Sequence, residues 1–82
     1  MHNNIESPYM IVGANGFVGS YMIKNILEKT DKKILALDCD ISGKSSTDRL
    51  EWIKCDITNK NDIELVNSKS NIYKNIKILY LA

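Results

Sequence analysis

Three glycines at regular spacing are the residues of this chain best suited to chemistry. They form the pattern G-x-x-G-x-x-G at Gly13, Gly16 and Gly19, between an apolar run and a segment with helical spacing. At a strand-to-helix turn the first glycine permits a sharp turn, the second leaves room for a phosphate against the backbone, and the third lets the helix pack closely. The N–H groups at the start of the helix attract the anion. Three glycines at this spacing would by themselves indicate only a tight turn. Their position between a predicted strand and a predicted helix predicts a dinucleotide site.

An acidic residue follows at the distance expected for such a site. Asp38 ends the next apolar run, about 20 residues after the last glycine of the pattern. A carboxylate there accepts hydrogen bonds from the adenine ribose hydroxyls of NAD and repels the additional 2′-phosphate of NADP. Asp40 competes for this role, and Lys44 and Arg49 are able in principle to compensate a 2′-phosphate. Because Asp38 directly follows the strand, we favour Asp38 and predict NAD as the cofactor.

Two further pairs of residues lie where predicted strands end. Asp56 and Ile57 follow a third apolar run, where a carboxylate can accept from the adenine amino group and an isoleucine can pack on the ring. Taken alone, this pair indicates a strand end and a helix cap. Cys39 and Cys55 fall near the ends of neighbouring strands, and we interpret them as buried thiols rather than as a redox pair.

The apolar pattern predicts the elements that must position these residues. Strands are predicted at 9–12, 34–37, 50–55 and 76–81. One helix is predicted over 20–28, and Val18 already lies on its apolar face. A second helix is predicted from 59 to about 66, with Thr58 as its N-cap. Parallel pairing with right-handed crossovers gives the strand order 3-2-1-4. The predicted fold class is a Rossmann-like three-layer α/β/α architecture, half of a doubly wound sheet, in which ligands bind between the first and fourth strands. Residues 1–8 are expected to form an N-terminal tail and 9–82 the cofactor-binding part.

Composition limits the remaining classes of protein. The chain has 82 residues, of which 44% are hydrophobic and 26% charged, as in one small globular domain. The formal net charge of +1 argues against a basic nucleic-acid patch, and no stretch approaches the roughly 20 apolar residues that a bilayer requires. Two cysteines without the spacing of a zinc site, and a polar N-terminus without a signal-peptide core, lead us to expect no metal and a cytoplasmic location.

The order of four motifs resembles that of a known family. The motifs are Ile11-Val12-Gly13-Ala14-Asn15-Gly16-Phe17-Val18-Gly19-Ser20, then Leu37-Asp38, then Cys55-Asp56-Ile57-Thr58, then Leu79-Tyr80-Leu81-Ala82. Together they resemble the N-terminal part of the extended short-chain dehydrogenase/reductase family, the NAD-dependent sugar epimerases and dehydratases. The chain departs from the family pattern at Val12, where many members have Thr, and it lacks the glycine that is usual before the second strand.

The resemblance implies a role for each motif. The backbone amides of Phe17 and Val18 would donate to the pyrophosphate, and Asp38 would hold the ribose. Leu81 and Ala82 would begin the loop beside the inner ribose. Asp56 and Ile57 would hold the adenine. The cofactor-binding residues implied in this way are Gly13, Asn15, Gly16, Phe17, Val18, Gly19, Asp38, Asp56, Ile57, Leu81 and Ala82.

The resemblance also implies where the catalytic residues lie. In this family a Ser or Thr and a Tyr-x-x-x-Lys pair exchange a proton with a sugar hydroxyl, and they follow the fourth strand, so none is expected in this chain. The Tyr73 to Lys77 spacing is interpreted as a coincidence. We expect the NAD-binding portion of an epimerase or dehydratase for a nucleotide sugar or related alcohol; the alternative is a non-catalytic dinucleotide-binding module or redox sensor. The open fourth strand is expected to permit self-association.

Overall fold

The fold is a parallel sheet with one helix on each face. The computed structural model describes residues 8–73 and 75–81; residues 1–7, most of the predicted tail, lie outside the described residues. The elements are β1 (Tyr9–Val12), α1 (Phe17–Lys29), β2 (Ile34–Asp38), β3 (Leu50–Lys54), α2 (Lys60–Ser70) and β4 (Lys77–Tyr80). Within the described ranges, neither helix has the length and apolar character needed to cross a bilayer.

The strand order is β3-β2-β1-β4, and all neighbouring strands are parallel. Tyr9 lies opposite Ile34 on one side and opposite Lys77 on the other, so β1 takes a central place although it is the first strand in the chain. Parallel neighbours require long crossover connections, which α1, α2 and the segment between β2 and β3 provide. The predicted α/β class and the predicted order 3-2-1-4 are therefore confirmed.

Both faces of the sheet are covered, which explains the uninterrupted apolar run of β2. Successive strand residues point to opposite faces, so a strand covered on both sides is apolar at every buried position. The cluster beneath α1 comprises Ile11, Ala14, Ile23, Ile26, Ile34 and Ala36. The cluster beneath α2 comprises Met10, Leu35, Leu37, Ile53, Cys55 and Val66. β2 thus contributes to both halves of the core.

The start of α2 differs from the prediction. Asn59 is the N-cap, and its Oδ1 accepts hydrogen bonds from the N–H groups of Asn61 and Asp62, at 2.9 and 3.1 Å. The Thr58 hydroxyl instead donates to Asp56 Oδ1 at 2.6 Å. The predicted Thr58 cap is therefore wrong, because the turn before the helix already engages that hydroxyl.

Several element boundaries also differ from the prediction by a few residues. α2 extends to Ser70, four residues beyond the predicted end at Val66. The residues added are polar and mostly exposed, so the apolar pattern did not reveal them. β3 ends at Lys54 rather than at Cys55, and β4 is shorter at both ends than the predicted range 76–81. α1 begins at Phe17, directly after the second glycine of the pattern. None of these differences moves an element to another face of the sheet.

Arg49 ties the end of α1 to the start of β3. Its guanidinium group donates to the carbonyl oxygens of Leu27 at 3.2 Å, Thr30 at 2.6 Å, and Lys32 at 3.0 and 3.2 Å. Carbonyl groups at a helix C-terminus lack partners within the helix, so these bonds satisfy acceptors that otherwise depend on water. One planar side chain thereby fastens the amino edge of the sheet, the edge at which the strands begin.

Gly19 sets the distance between α1 and the turn that precedes it. Gly19 and Ala14 are both buried. A Cβ at position 19 would lie 2.6 Å from the carbonyl carbon of Ala14 and 2.7 Å from its Cα. The close packing predicted for the third glycine is therefore present, and it depends on the absence of a side chain.

We expect Gly19→Ala to lower the free energy of unfolding by about 1 to 3 kcal/mol, because the added methyl group overlaps the Ala14 backbone. Helix propensity alone predicts the opposite sign, since Ala is favoured over Gly inside a helix by about 1 kcal/mol. Chemical denaturation measures the difference. Gly16→Ala is the matched control, because a Cβ there meets only the Gly13 oxygen, at 3.7 Å. Equal stability of the two variants would contradict the close approach at Gly19.

Candidate functional site

A cleft opens at the carboxyl edge of the sheet, where the strands end. We call it the carboxyl-edge cleft, and its volume is about 290 Å³. Its walls come from the ends of β1, β2 and β3 and from the residue after β4, so it includes the point at which the winding of the sheet reverses. The lining residues are Val12, Gly13, Gly16, Asp38, Cys39, Cys55, Asp56, Ile57 and Leu81.

The turn between β1 and α1 is held against the end of β2. The N–H groups of Gly13 and Ala14 both donate to the carbonyl oxygen of Leu37, at 2.8 and 3.0 Å. Gly13 has φ 83°, in the left-handed region that favours glycine over residues with a Cβ. The sharp turn predicted for the first glycine is therefore present, and it forms one wall of the cleft.

The start of α1 is open to the cleft. Gly16 is the N-cap residue, and among the described residues no side chain caps the helix. A Cβ at Gly16 would have only the Gly13 oxygen within 4 Å, so the space above this residue is unfilled by protein. The first turn of α1 also carries no acidic residue. Because N–H groups at a helix N-terminus favour negative charge, this arrangement suits a phosphate group.

Asp38 lies beside the glycine turn, with its carboxylate fixed by backbone donors. Its Oδ2 accepts from the N–H of Asn15 at 2.9 Å, and its Oδ1 accepts from the N–H of Asp40 at 3.2 Å. Burial raises the pKa of this carboxyl, but the hydrogen bonds outweigh burial and the pKa lies below its ordinary value. Asp38 is therefore ionised at neutral pH and presents a negative charge at the edge of the cleft.

Asp40 lies outside the lining of the cleft. Its Oδ1 accepts from the N–H of Ser42 at 3.0 Å, and its carbonyl oxygen accepts from Nδ2 of Asn15 at 2.7 Å. Asn15 thus contacts both acidic residues, through its backbone to Asp38 and through its side chain to Asp40. Of the two acidic residues considered for the ribose, only Asp38 lines the cleft.

Asp56 and Ile57 form the wall that follows β3. Asp56 Oδ1 accepts from the Thr58 hydroxyl at 2.6 Å and from the Thr58 N–H at 2.9 Å, and these bonds hold the pKa of Asp56 below its ordinary value. Ile57 is 39% exposed. The interpretation of this pair as a strand end followed by a helix start describes the local structure, and both residues also line the cleft.

Of the other residues implied by the resemblance, one lines the cleft and four do not. Leu81 lines it, and the Leu81 N–H donates to the Val12 carbonyl oxygen at 2.8 Å. Four others belong to the glycine turn and the first turn of α1 without lining the cleft: Asn15, Phe17, Val18 and Gly19. The Phe17 side chain is 91% exposed. Ala82 lies outside the described residues.

Sequence reasoning missed three lining residues, Val12, Cys39 and Cys55. Cys55 is buried as predicted, but Cys39 is exposed, so the prediction of two buried thiols is wrong for Cys39. β2 ends at Asp38 and the chain bends at Cys39, which removes this side chain from the core. One signal could have identified the two cysteines as lining residues. Both follow the ends of neighbouring strands, and a position at a strand end is what identified Asp38.

The basic residues considered for a 2′-phosphate lie away from the cleft. Arg49 donates to main-chain carbonyl oxygens at the amino edge of the sheet. Lys44 Nζ lies 5.3 Å from the centroid of the Trp52 ring, within the range of a cation–π interaction. Neither residue lines the cleft, so the charge of Asp38 is not neutralised by either of them.

Tyr73 and Lys77, which share the spacing of a Tyr-x-x-x-Lys pair, are also separate from the cleft. Tyr73 lies at the amino edge, where the Lys33 ammonium is 5.6 Å from its ring centroid, and Lys77 is the first residue of β4. The Tyr73 to Lys77 spacing is therefore on the far side of the sheet from the cleft. In the described part of the chain, no group of three or more His, Cys, Asp or Glu side chains is arranged to hold a metal ion.

Comparison with known proteins identifies a family. The sequence model of the NAD dependent epimerase/dehydratase family matches residues 9–73 of the 82 residues. No curated protein and no solved structure matches the chain significantly. The matched range runs from β1 past the end of α2 and contains the glycine turn, Asp38 and Asp56. The chain therefore belongs to the NAD dependent epimerase/dehydratase family, which implies a nicotinamide dinucleotide cofactor.

Proposed function

We propose that this chain binds NAD in the carboxyl-edge cleft and forms the cofactor-binding portion of an epimerase or dehydratase. The proposed substrate is a nucleotide sugar or a related alcohol, and the proton-transfer groups are proposed to be residues other than those that line the cleft. One observation carries the proposal. The cleft combines an uncapped helix start, a glycine with open space above it and an ionised carboxylate within one cavity.

The pyrophosphate is proposed to lie over Gly16, at the start of α1. The space above Gly16 is open, so phosphate oxygens can approach the backbone closely. The N–H groups of Phe17 and Val18, in the first turn, are the proposed donors. Because α1 has no side-chain cap among the described residues and no acidic residue in this turn, the positive end of the helix is available to an anion.

The adenine ribose is proposed to bind at Asp38. Each oxygen of an ionised carboxylate has two lone pairs, so Asp38 can accept ribose hydroxyls while it still accepts the N–H groups of Asn15 and Asp40. A 2′-phosphate in the same place would meet the negative charge of Asp38. Lys44 and Arg49 are engaged elsewhere, which supports NAD rather than NADP.

The adenine is proposed to bind beside Asp56 and Ile57. Asp56 uses Oδ1 for both hydrogen bonds from Thr58, which leaves Oδ2 as an acceptor for the adenine amino group. The partly exposed Ile57 offers apolar surface to the ring. Leu81, after β4, is proposed to lie beside the inner ribose at the other end of the cleft.

In the proposed reaction, the cofactor and the described residues have different roles. A bound nicotinamide supplies a hydride acceptor and donor. The described residues bind and orient the dinucleotide through the helix start, Asp38 and the wall after β3. Tyr73 and Lys77, on the far side of the sheet, are not proposed as the proton-transfer pair, because general acid–base catalysis requires hydrogen-bond contact with the substrate.

The proposed location is the cytoplasm. Cys39 and Cys55 are both free thiols, although Cys39 is exposed. Free thiols fit a reducing compartment better than an oxidising one.

Gly16→Val should abolish detectable NAD binding, because the side chain occupies the space above the start of α1. Gly16 has φ −80° and ψ 177°, angles that valine also adopts, so the fold should persist. Titration calorimetry with NAD measures the affinity, and circular dichroism checks the fold. Ser20→Val, at an exposed position of α1 away from the cleft, is the matched control and should retain the affinity of the unmodified chain. Unchanged affinity in Gly16→Val would rule out the proposed position of the pyrophosphate, and failure of the unmodified chain to bind NAD would overturn the proposed function.

Asp38→Asn should weaken NAD binding by about tenfold or more, since a hydrogen bond to a charged group contributes about 1.5 to 3 kcal/mol. It should also narrow the difference between NAD and NADP, because the repulsion of the 2′-phosphate is lost. Parallel calorimetric titrations with the two cofactors measure both effects. Asp40→Asn is the matched control and should leave the NAD affinity nearly unchanged, because Asp40 lies outside the cleft. Equal or tighter binding of NADP by the unmodified chain would refute the assignment of NAD.

Self-association through β4 is also proposed. β4 is one of the two edge strands of the described sheet, and its Ile78 and Tyr80 side chains are 61% and 60% exposed. An edge strand with apolar side chains offers unpaired backbone groups to a second copy. Sedimentation velocity should show association that grows with concentration and that Ile78→Lys reduces. Ile72→Lys, which alters a residue 67% exposed in the turn after α2, should not reduce it. A monomer at all concentrations would contradict this proposal.

A further inference from the structure

Two thiols line the carboxyl-edge cleft, one beside each of its carboxylates. Cys39 directly follows Asp38 at the end of β2, and Cys55 directly precedes Asp56 after β3. Neither thiol has a place in the proposed binding of the dinucleotide. Their location in the wall between the proposed ribose and adenine positions therefore requires a separate account.

The register of β2 and β3 ends one position before Cys39 and Cys55. Asp38 is the register partner of Lys54, and the Cys55 N–H continues the ladder by donating to the Asp38 carbonyl oxygen at 2.9 Å. β2 and β3 end at this pair, and one further step of the same register would set Cys39 opposite Cys55. Neighbouring strands lie about 4.7 to 4.9 Å apart, and disulfides join residues whose Cα atoms are about 4.4 to 6.8 Å apart. Residues on neighbouring strands at one register position are therefore close enough for a disulfide.

The side-chain alternation also favours this pairing. Leu37, Ile53 and Cys55 all belong to the cluster beneath α2, so these positions face the same side of the sheet. If β2 continued without a bend, its alternation two positions beyond Leu37 would set Cys39 on the same side. The chain bends at Cys39 and leaves its side chain exposed, so the movement needed to reach Cys55 is confined to a residue outside the core.

The two thiols differ in reactivity because they differ in burial. Cys39 is exposed and reachable by a dissolved oxidant. Burial of Cys55, and then the negative charges of Asp62 and Asp56, raise the pKa of its thiol and disfavour its thiolate. Cys39 is thus the thiol that reacts first, and Cys55 is placed to react with its oxidised product.

We propose that Cys39 and Cys55 form a reversible disulfide that narrows the carboxyl-edge cleft and weakens dinucleotide binding. The oxidant is a peroxide. The Cys39 thiolate attacks one peroxide oxygen, forming a sulfenic acid and releasing hydroxide, which is protonated to water. The Cys55 sulfur then attacks the Cys39 sulfur and displaces the hydroxyl group as a second water. Two thiols lose two electrons, and hydrogen peroxide is reduced to two waters. A dithiol reductant then restores the two thiols by thiol–disulfide exchange and is itself oxidised to a disulfide.

The consequence for the cleft follows from the neighbours of the two cysteines. A disulfide draws the chain after Asp38 toward the chain before Asp56, across the space assigned to the adenine nucleoside. The effect on affinity rests on the proposed function, whereas formation of the disulfide does not. The two parts of the proposal are therefore measured separately.

Formation of the disulfide is tested by treating the reduced full chain with hydrogen peroxide and digesting it with trypsin without reduction. Trypsin cuts after Lys44, Arg49 and Lys54, so the two cysteines fall in separate peptides, 34–44 and 55–60. We expect mass spectrometry to find these two peptides cross-linked within one copy of the chain, with the mass of two hydrogens lost. Cys55→Ala should instead accumulate the sulfenic acid at Cys39. Singly oxidised Cys39 in the unmodified chain, or a cross-link only between copies, would overturn the proposal.

The effect on binding is tested by titrating reduced, peroxide-treated and re-reduced chain with NAD. We expect oxidation to weaken NAD binding by about tenfold or more and a dithiol to restore it. In Cys39→Ser, a substitution at an exposed position, peroxide should no longer change the affinity. An affinity unchanged by a cross-link that has formed would refute the effect on the cleft. Absence of NAD binding by the reduced chain would instead refute the proposed function. The cross-linking experiment would then still test whether the disulfide forms.

Discussion

Three successive N–H groups after β1 are fixed by the end of β2, and the rest of the site depends on this contact. The N–H groups of Gly13 and Ala14 donate to the Leu37 carbonyl oxygen. The N–H group of Asn15 donates to the Asp38 carboxylate. The bonds orient the glycine turn, which in turn aims the start of α1 at the cleft. They also hold the Asp38 carboxylate in one position. The start of α1 and the Asp38 carboxylate are therefore one unit, because each is positioned by the other.

The opposite edges of the sheet have different physical tasks. At the amino edge, Arg49 satisfies carbonyl oxygens near the end of α1, and the Glu51 carboxylate lies 3.5 Å from the Lys33 ammonium and 3.4 Å from that of Lys69. At the carboxyl edge, acidic side chains and open N–H groups face a cavity. The charges of Glu51, Lys33 and Lys69 are thus matched within the protein, whereas the Asp38 and Asp56 carboxylates line the cleft. This division accounts for the position of Arg49 far from the cleft.

The sequence predicted the fold wherever local pattern and sheet topology agreed. Alternating burial on two faces explains the apolar run of β2, and the distinct tasks of Gly13 and Gly19 follow from their positions at a strand-to-helix turn. The α2 cap was not predictable, because Thr58 and Asn59 are both capable of capping and the choice depends on a hydrogen bond to Asp56.

Contacts between distant residues were equally hidden from the sequence. The acceptors of Arg49 become visible only when the end of α1 and the start of β3 are brought together, and the exposure of Cys39 depends on a bend after β2. The acidic residues of the cleft were predictable in position, since strand ends of a parallel sheet meet at one edge. Their hydrogen-bond partners were not.

The central place of β1 has a consequence for the order in which the protein assembles. Val12 pairs with Leu37 in β2 and with Tyr80 in β4, and the intervening chain is more than twice as long in the second case. Closing the longer loop costs about 1 kcal/mol more in chain entropy, so we expect the β1-α1-β2 unit to form before β4 docks. The glycine turn is then present early, while the wall at Leu81 is completed last. A ligand that spans both walls acts on this late step, and slows unfolding more than it accelerates folding.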